Sequence, residues 1–166
     1  MQTDPHIHLR PATVHDLPFL NEMIYEAIHW SDGERPSIEE TLARPDLANL
    51  TADWGREGDW GLVAEADDRT PIGAAWCRSW TADNHAFGYV ADDIPEVSIA
   101  LARGQRERGL GTQLLQALLD LARANGLAKL SLAVEQANLR AQHVYEKLGF
   151  VRVAATAEDY TMAVSL

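Results

Sequence analysis

Hydrophobic and polar positions repeat along the chain with a period that changes from block to block, and each block predicts an element. From Glu96 onward Val97, Ile99 and Leu101 alternate with smaller residues, as in a strand with one well-buried face. Directly after it Leu110, Leu114, Leu118 and Leu121 recur at helical spacing, with Leu115, Leu119 and Ala122 beside them and Gly126 as a stop. Leu130, Leu132 and Val134 alternate with Lys129, Ser131 and Ala133, so Lys129–Val134 reads as a strand. Asn138 is a favourable N-cap for the helix that follows, and Gly149 suits its C-terminal end. Phe150–Ala154 and Tyr160–Val164 read as strands flanking a Thr156–Asp159 turn.

The N-terminal half follows the same logic. Ile7–Arg10 is a short strand before Pro11, and Thr13 with Asp16 at the third helical position forms a variant capping box. Leu17, Leu20, Ile24 and Ile28 continue that helix. Gly33 and Pro36 interrupt it, Ser37 opens a second helical stretch broken around Pro45, and Asp46–Gly55 can resume it. Trp60–Ala66 and Ile72–Trp80 read as antiparallel strands joined by Asp67–Pro71, and Thr81–Asp93 as a polar loop. The order β-α-α-β-β-β-α-β-α-β-β predicts an α/β fold with a mixed central sheet. No repeat or long linker divides the chain, so residues 1–166 read as a single domain.

Composition narrows the classes. Of 166 residues, 46% are hydrophobic and 23% charged, ordinary for a soluble globular protein. No apolar run approaches a membrane span and the first residues carry no signal-peptide pattern, so a cytoplasmic protein without a membrane partner is expected. The single cysteine, Cys77, excludes an internal disulfide and reads as a buried structural thiol. Trp54, Trp60, Trp76 and Trp80 read as packing residues. The six histidines, His6 and His8 included, lack metal-ligand spacing, so no metal is expected. Fourteen basic against twenty-five acidic side chains give a net charge of −11, which disfavours nucleic acid and suits a cationic substrate such as a primary amine.

The candidate chemistry sits between the Val97 strand and the Leu110 helix, in Arg106-x-x-Gly109-x-Gly111. Glycines let the backbone approach a ligand, and a helix N-terminus offers unpaired N–H groups and a positive dipole end to an anion, a pyrophosphate above all. A P-loop would need a Gly-Lys-Ser/Thr ending, which Gly109-Leu110-Gly111-Thr112 lacks. A dinucleotide fingerprint would need glycine where Leu114 stands. A plain surface junction that binds nothing stays open on this motif alone.

Arg-x-x-Gly-x-Gly after a strand beginning with Glu96 resembles the acetyl-CoA signature of the GNAT superfamily of N-acetyltransferases. Asn138-Leu-Arg-Ala141-Gln-His-Val-Tyr145-Glu-Lys-Leu-Gly149-Phe150 resembles that family's second signature in type and spacing. The resemblance is specific over Glu96–Phe150. It implies a GNAT-like fold whose sheet splays between the fourth and fifth strands, with acetyl-CoA as co-substrate and an amine as acceptor. The N–H groups of Arg108, Gly109, Gly111 and Thr112 would seat the pyrophosphate, helped by the Arg106 and Arg108 side chains. Ile99, Leu101, Asn138 and Ala141 would line the rest of the cofactor site, with a backbone N–H near Leu101 polarising the carbonyl. Tyr145 is the implied general acid. Glu96 is the candidate general base, acting through a water that Ser98 helps to hold. Tyr25, His29 and Trp30, within Tyr25–Arg35, are the candidate acceptor-binding residues, with the Thr81–Asp93 loop opposite. Arg103 stands where proline is common and Glu107 where glycine is common. The acceptor is a small-molecule amine or a protein amino group, and homodimers are frequent among similar proteins. The alternative is a non-catalytic CoA-binding sensor or assembly module.

Overall fold

A computed structural model describes residues 6–28, 33–106 and 108–166. In chain order these form β1 (His8–Pro11), a 3-10 turn (Val14–Asp16), α1 (Leu17–Ile28), α2 (Ile38–Leu42), α3 (Pro45–Ala48), β2 (Trp60–Glu65) and β3 (Pro71–Arg78). There follow β4 (Glu96–Leu101), α4 (Leu110–Ala124), β5 (Lys129–Glu135), α5 (Leu139–Lys147), β6 (Val151–Ala155) and β7 (Asp159–Ser165).

Local chemistry explains the starts and stops. Thr13 accepts from the backbone of its turn while the Asp16 carboxylate accepts from the Thr13 N–H at 2.7 Å, so the capping box expected there is formed. Ser37 and Glu40 build a second one at α2. Gly126 and Gly149 have φ of 76° and 97°, left-handed values that end α4 and α5 at little steric cost. The helix expected over Asp46–Gly55 stops at Ala48: Asp53 at φ 55° and Gly55 at φ 103° turn the chain back.

The seven strands lie in the order β1-β2-β3-β4-β5-β7-β6. Every neighbouring pair is antiparallel except β4 and β5, which run parallel and meet at one register pair, Glu96 with Ser131. Beyond it they part, giving the splay between fourth and fifth strands. Alternation sends successive strand residues to opposite faces. Leu62, Ala75, Cys77, Val97, Leu130 and Leu132 pack with the leucines of α4, whereas Val63, Ala74, Trp76 and Ala100 pack with Leu20, Met23 and Ile24 of α1 and Leu47 of α3. A central strand is covered on both faces, which corrects the one-sided reading of β4: Glu96 and Ala100 are buried along with Val97.

Candidate active site

The turn before α4 is built as an open N-terminus. Gly109, the N-cap, has φ 75° and supplies no side-chain cap to the first helical N–H groups, in contrast to Thr13 and Ser37. Among the described residues, a Cβ on Gly109 would meet nothing within 4 Å. Uncapped N–H groups at a dipole's positive end fit an anion. Gly109, Gly111 and Thr112 line a cavity of about 1350 Å³, together with Arg106, Ile99, Leu101, Asn138, Ala141, Tyr145 and Glu96. One cavity thus gathers ten of the residues singled out from sequence. Arg108 is exposed outside that lining, and its guanidinium lies 3.5 Å from the Gln105 side-chain oxygen.

The parted strands form the cavity's centre. Ala102 donates its N–H to Ile72 on the β3 side, and Ser131 donates to Pro95 on the β5 side. By alternation the peptide groups of Ile99 and Leu101 point from β4 into the cleft, and that of Ala133 points in from β5. Main-chain donors and acceptors facing a cleft suit a ligand with amide groups of its own.

Glu96 stands where the cleft closes. It is 5% exposed, and its Oε1 accepts from the Gly88 N–H at 2.8 Å. Among the described residues, its Oε2 and the Trp80 indole N–H have no hydrogen-bond partner, and both are buried. Desolvation raises the carboxyl to a pKa of about 7, against the opposing pulls of the Gly88 N–H, the nearby Trp80 indole and His85. Trp80 acts there through proximity, because its geometry with Glu96 falls short of a hydrogen bond. A carboxyl poised near neutrality in a cavity is suited to exchanging a proton with an amine.

Tyr145 faces the cleft from α5. The helix is fixed by Asn138, whose side chain accepts from the Ala141 N–H at 3.2 Å, and by buried Gln142, which donates to the carbonyls of Glu135 and Gln136 at 3.0 and 2.9 Å. The Tyr145 ring packs against Phe150 with centroids 6.0 Å apart. Burial pushes its phenol up to about 12, so it keeps its proton throughout the neutral range.

The acceptor side is less as the sequence suggested. His29 and Trp30 lie outside the described residues. Tyr25 is half-buried away from the cavity lining, and its hydroxyl donates to the Pro36 carbonyl at 2.9 Å. Glu26, Ile24 and Ile28 of α1 line the cavity instead, with Trp76, Phe87 and Ser98. Cys77 is fully buried and its thiol is pushed well up by desolvation, in keeping with a structural role.

Sequence reasoning read Trp80 as packing, Gly88 as part of the Thr81–Asp93 loop, Ser131 as a strand residue and Glu26 only as part of Tyr25–Arg35, and gave none of them a role of its own in the site. Gly88 carried a signal: a lone glycine in a polar loop eight positions before the key glutamate. The other three carried none that spacing reveals.

Residues 24–150 match the Acetyltransferase (GNAT) family. The chain is 35% identical over 147 residues to an L-methionine sulfoximine/L-methionine sulfone acetyltransferase of Pseudomonas paraeruginosa, covering 86% of this chain and 78% of that protein. It is 29% identical over 144 residues to the streptothricin acetyltransferase of Streptomyces lavendulae, covering 81% and 72%. In backbone it is similar to the PaiA N-acetyltransferase of Thermoplasma acidophilum, solved in complex with coenzyme A, with a TM-score of 0.71, 21% identity and coverage of 97% and 99%. The family match over most of the chain and the conformity of cleft and turn lead to one statement: this protein belongs to the GNAT family of acetyltransferases.

Proposed function

We propose that residues 1–166 act as one N-acetyltransferase domain, moving the acetyl group of acetyl-CoA to the amine of a small molecule by direct attack in a ternary complex. The observation that carries this reading is the single cavity joining an uncapped helix N-terminus to a buried near-neutral carboxyl and a protonated phenol. Acetyl-CoA supplies the activated acyl group. The N–H groups of Gly109, Gly111 and Thr112 hold its pyrophosphate, and the peptide edges of Ile99 and Leu101 receive its amide-bearing arm. Asn138 and Ala141 shape the opposite wall. Glu96 takes a proton from the acceptor ammonium through a water, so that the attacking nitrogen has a lone pair. The N–H near Leu101 stabilises the developing oxyanion, and Tyr145 protonates the departing sulfur. A small amine is favoured over a protein amino group because the two named relatives take small acceptors, methionine sulfoximine or sulfone and streptothricin.

The test is incubation of purified protein with acetyl-CoA and an amine panel. The panel includes both relatives' acceptors, polyamines and N-terminal peptides. Free CoA thiol is followed, with mass spectrometry of each acceptor. Amine-dependent thiol release with gain of one acetyl group on a small amine is expected. Release no faster than the hydrolysis blank across the panel, with CoA bound tightly, would favour the CoA-binding module.

A further inference from the structure

Gly88 is gripped by both strands that diverge beside it. Its N–H donates to Glu96 Oε1 of β4 at 2.8 Å, and its carbonyl accepts from Ser131 Oγ of β5 at 2.7 Å, both bonds buried. Glu96 and Ser131 are themselves the register pair at which β4 and β5 touch. The two side chains therefore reach one loop residue from the apex of the cleft. Space is tight there. A Cβ on Gly88 would lie 2.6 Å from the Leu132 carbonyl carbon, 2.7 Å from the Ala133 nitrogen and 2.9 Å from Glu96 Oε1. The loop thus lies close against the β5 backbone at Gly88, where a side chain would not fit.

A fully buried serine hydroxyl costs folding energy unless it is bonded, and Ser131 is 0% exposed. The bond it makes fixes the loop residue whose N–H grips the carboxylate. The geometry points to Ser131 as a positioning residue for proton transfer: through Gly88 it locks the Glu96 carboxylate by Oε1, and the other oxygen, buried Oε2, takes the acceptor's proton by way of a water. This rests on Glu96 being the base.

Among the described residues, few groups face Glu96. The loop brings the Gly88 N–H and His85, Trp80 just beyond β3 brings its indole, and from the other sheet face the Cys77 thiol feels the Glu96 charge. Arg78, the cross-strand neighbour of Glu96, is held by Asp59 through two bonds of 3.0 Å. From β5 comes Ser131 through Gly88. Among the described residues, the Gly88 N–H is the donor hydrogen-bonded to this carboxylate, so loosening Gly88 removes the main hydrogen bond favouring the charged form.

The experiment compares pH profiles of kcat/KM for wild type, Ser131→Ala, Ser131→Thr and Glu96→Gln, with melting temperatures. The Glu96 carboxyl is also titrated directly by carbon-13 NMR. For Ser131→Ala the acid limb and the carboxyl titration both move up by roughly half a pH unit or more, and kcat near pH 6.5 falls about three- to tenfold. KM for acetyl-CoA stays unchanged, and Ser131→Thr, which keeps the donor, moves the limb back toward wild type. A lower melting temperature with an unmoved limb and titration would overturn the inference, leaving Ser131 a packing residue. Should Ser131→Ala not fold, Ser131→Cys, a weaker donor of similar volume, must shift the titration the same way by less, and no shift counts against the clamp. If Glu96→Gln keeps the wild-type limb, the base assignment itself fails, an outcome separate from failure of the Ser131 clamp.

Discussion

Arg106 Nη2 donates to the Glu26 carbonyl at 2.8 Å and lies 3.6 Å from the Glu26 carboxylate, so the turn before α4 is tied to α1 across the cavity. Arg35 approaches the same carboxylate at 3.4 Å. Glu26 therefore draws on a cation that the phosphate groups of acetyl-CoA would also use. Replacing it by glutamine relieves that competition. Glu26→Gln is expected to lower KM for acetyl-CoA about two- to fivefold, as suits a partly exposed pair, and to raise KM for a cationic acceptor. Initial-rate kinetics at two salt concentrations check this, and an acetyl-CoA KM that rises would contradict it.

The Glu96 carboxyl makes activity and stability move in opposite directions with pH. With a pKa of about 7, kcat/KM should climb through neutrality as the base ionises. The unfolded chain ionises the same group near 4.5. Between those values the folded state keeps a proton that the unfolded state has lost, so this group's contribution to stability declines as pH rises. The decline amounts to on the order of 3 kcal/mol by pH 8. Glu96→Gln should therefore melt higher than wild type at pH 8, match it near pH 4.5, and turn over at least a hundredfold more slowly. Equal melting temperatures at both pH values would contradict the burial argument.

For Tyr145, removal of the hydroxyl should cost about a hundredfold in kcat with KM for acetyl-CoA nearly unchanged, since a general acid acts on the leaving group. Because its phenol is pushed up to about 12, it contributes no basic limb below pH 10. A limb near pH 8.5 that disappears in Tyr145→Phe would show that the phenol titrates where burial should forbid it.

Beneath the site, Arg78 and Asp59 form an ion pair whose side chains are 2% and 1% exposed, with Arg78 also donating to the carbonyls of Asn49 and Ala52 at 2.9 and 2.6 Å. Removing one partner strands a buried charge. Asp59→Asn should cost about 3–5 kcal/mol in urea unfolding. By contrast Asp46→Asn, which breaks the exposed pair with Arg44, should cost less than about 1 kcal/mol. Similar costs would mean that burial does not set the value of these pairs.

What could be read from the chain was what neighbouring residues decide among themselves. Thr13 with Asp16, the left-handed glycines 126 and 149, and the leucine row of α4 needed no tertiary information, and all are found where spacing places them. The cleft came through likeness of signatures, because no periodicity says that two strands part. The burial of Glu96 escaped because strand alternation reports one face, while the other face is covered by α1 and by a loop whose path nothing local fixes. Gly88 and Ser131 lie 43 positions apart, and their bond exists only once the sheet does.

A sheet stitched at one point owes little of its cohesion to backbone bonding across the seam. The row from Leu110 to Ala122 shares one buried cluster with residues of β2, β3 and β4 and with residues of β5 and β7, and so forms the spine of a core that spans both sides of the seam. Damage to that spine is then felt as a change in gape rather than as simple loosening. A leucine truncated far from any ligand would first show itself as a weaker grip on coenzyme, well before the molecule melts.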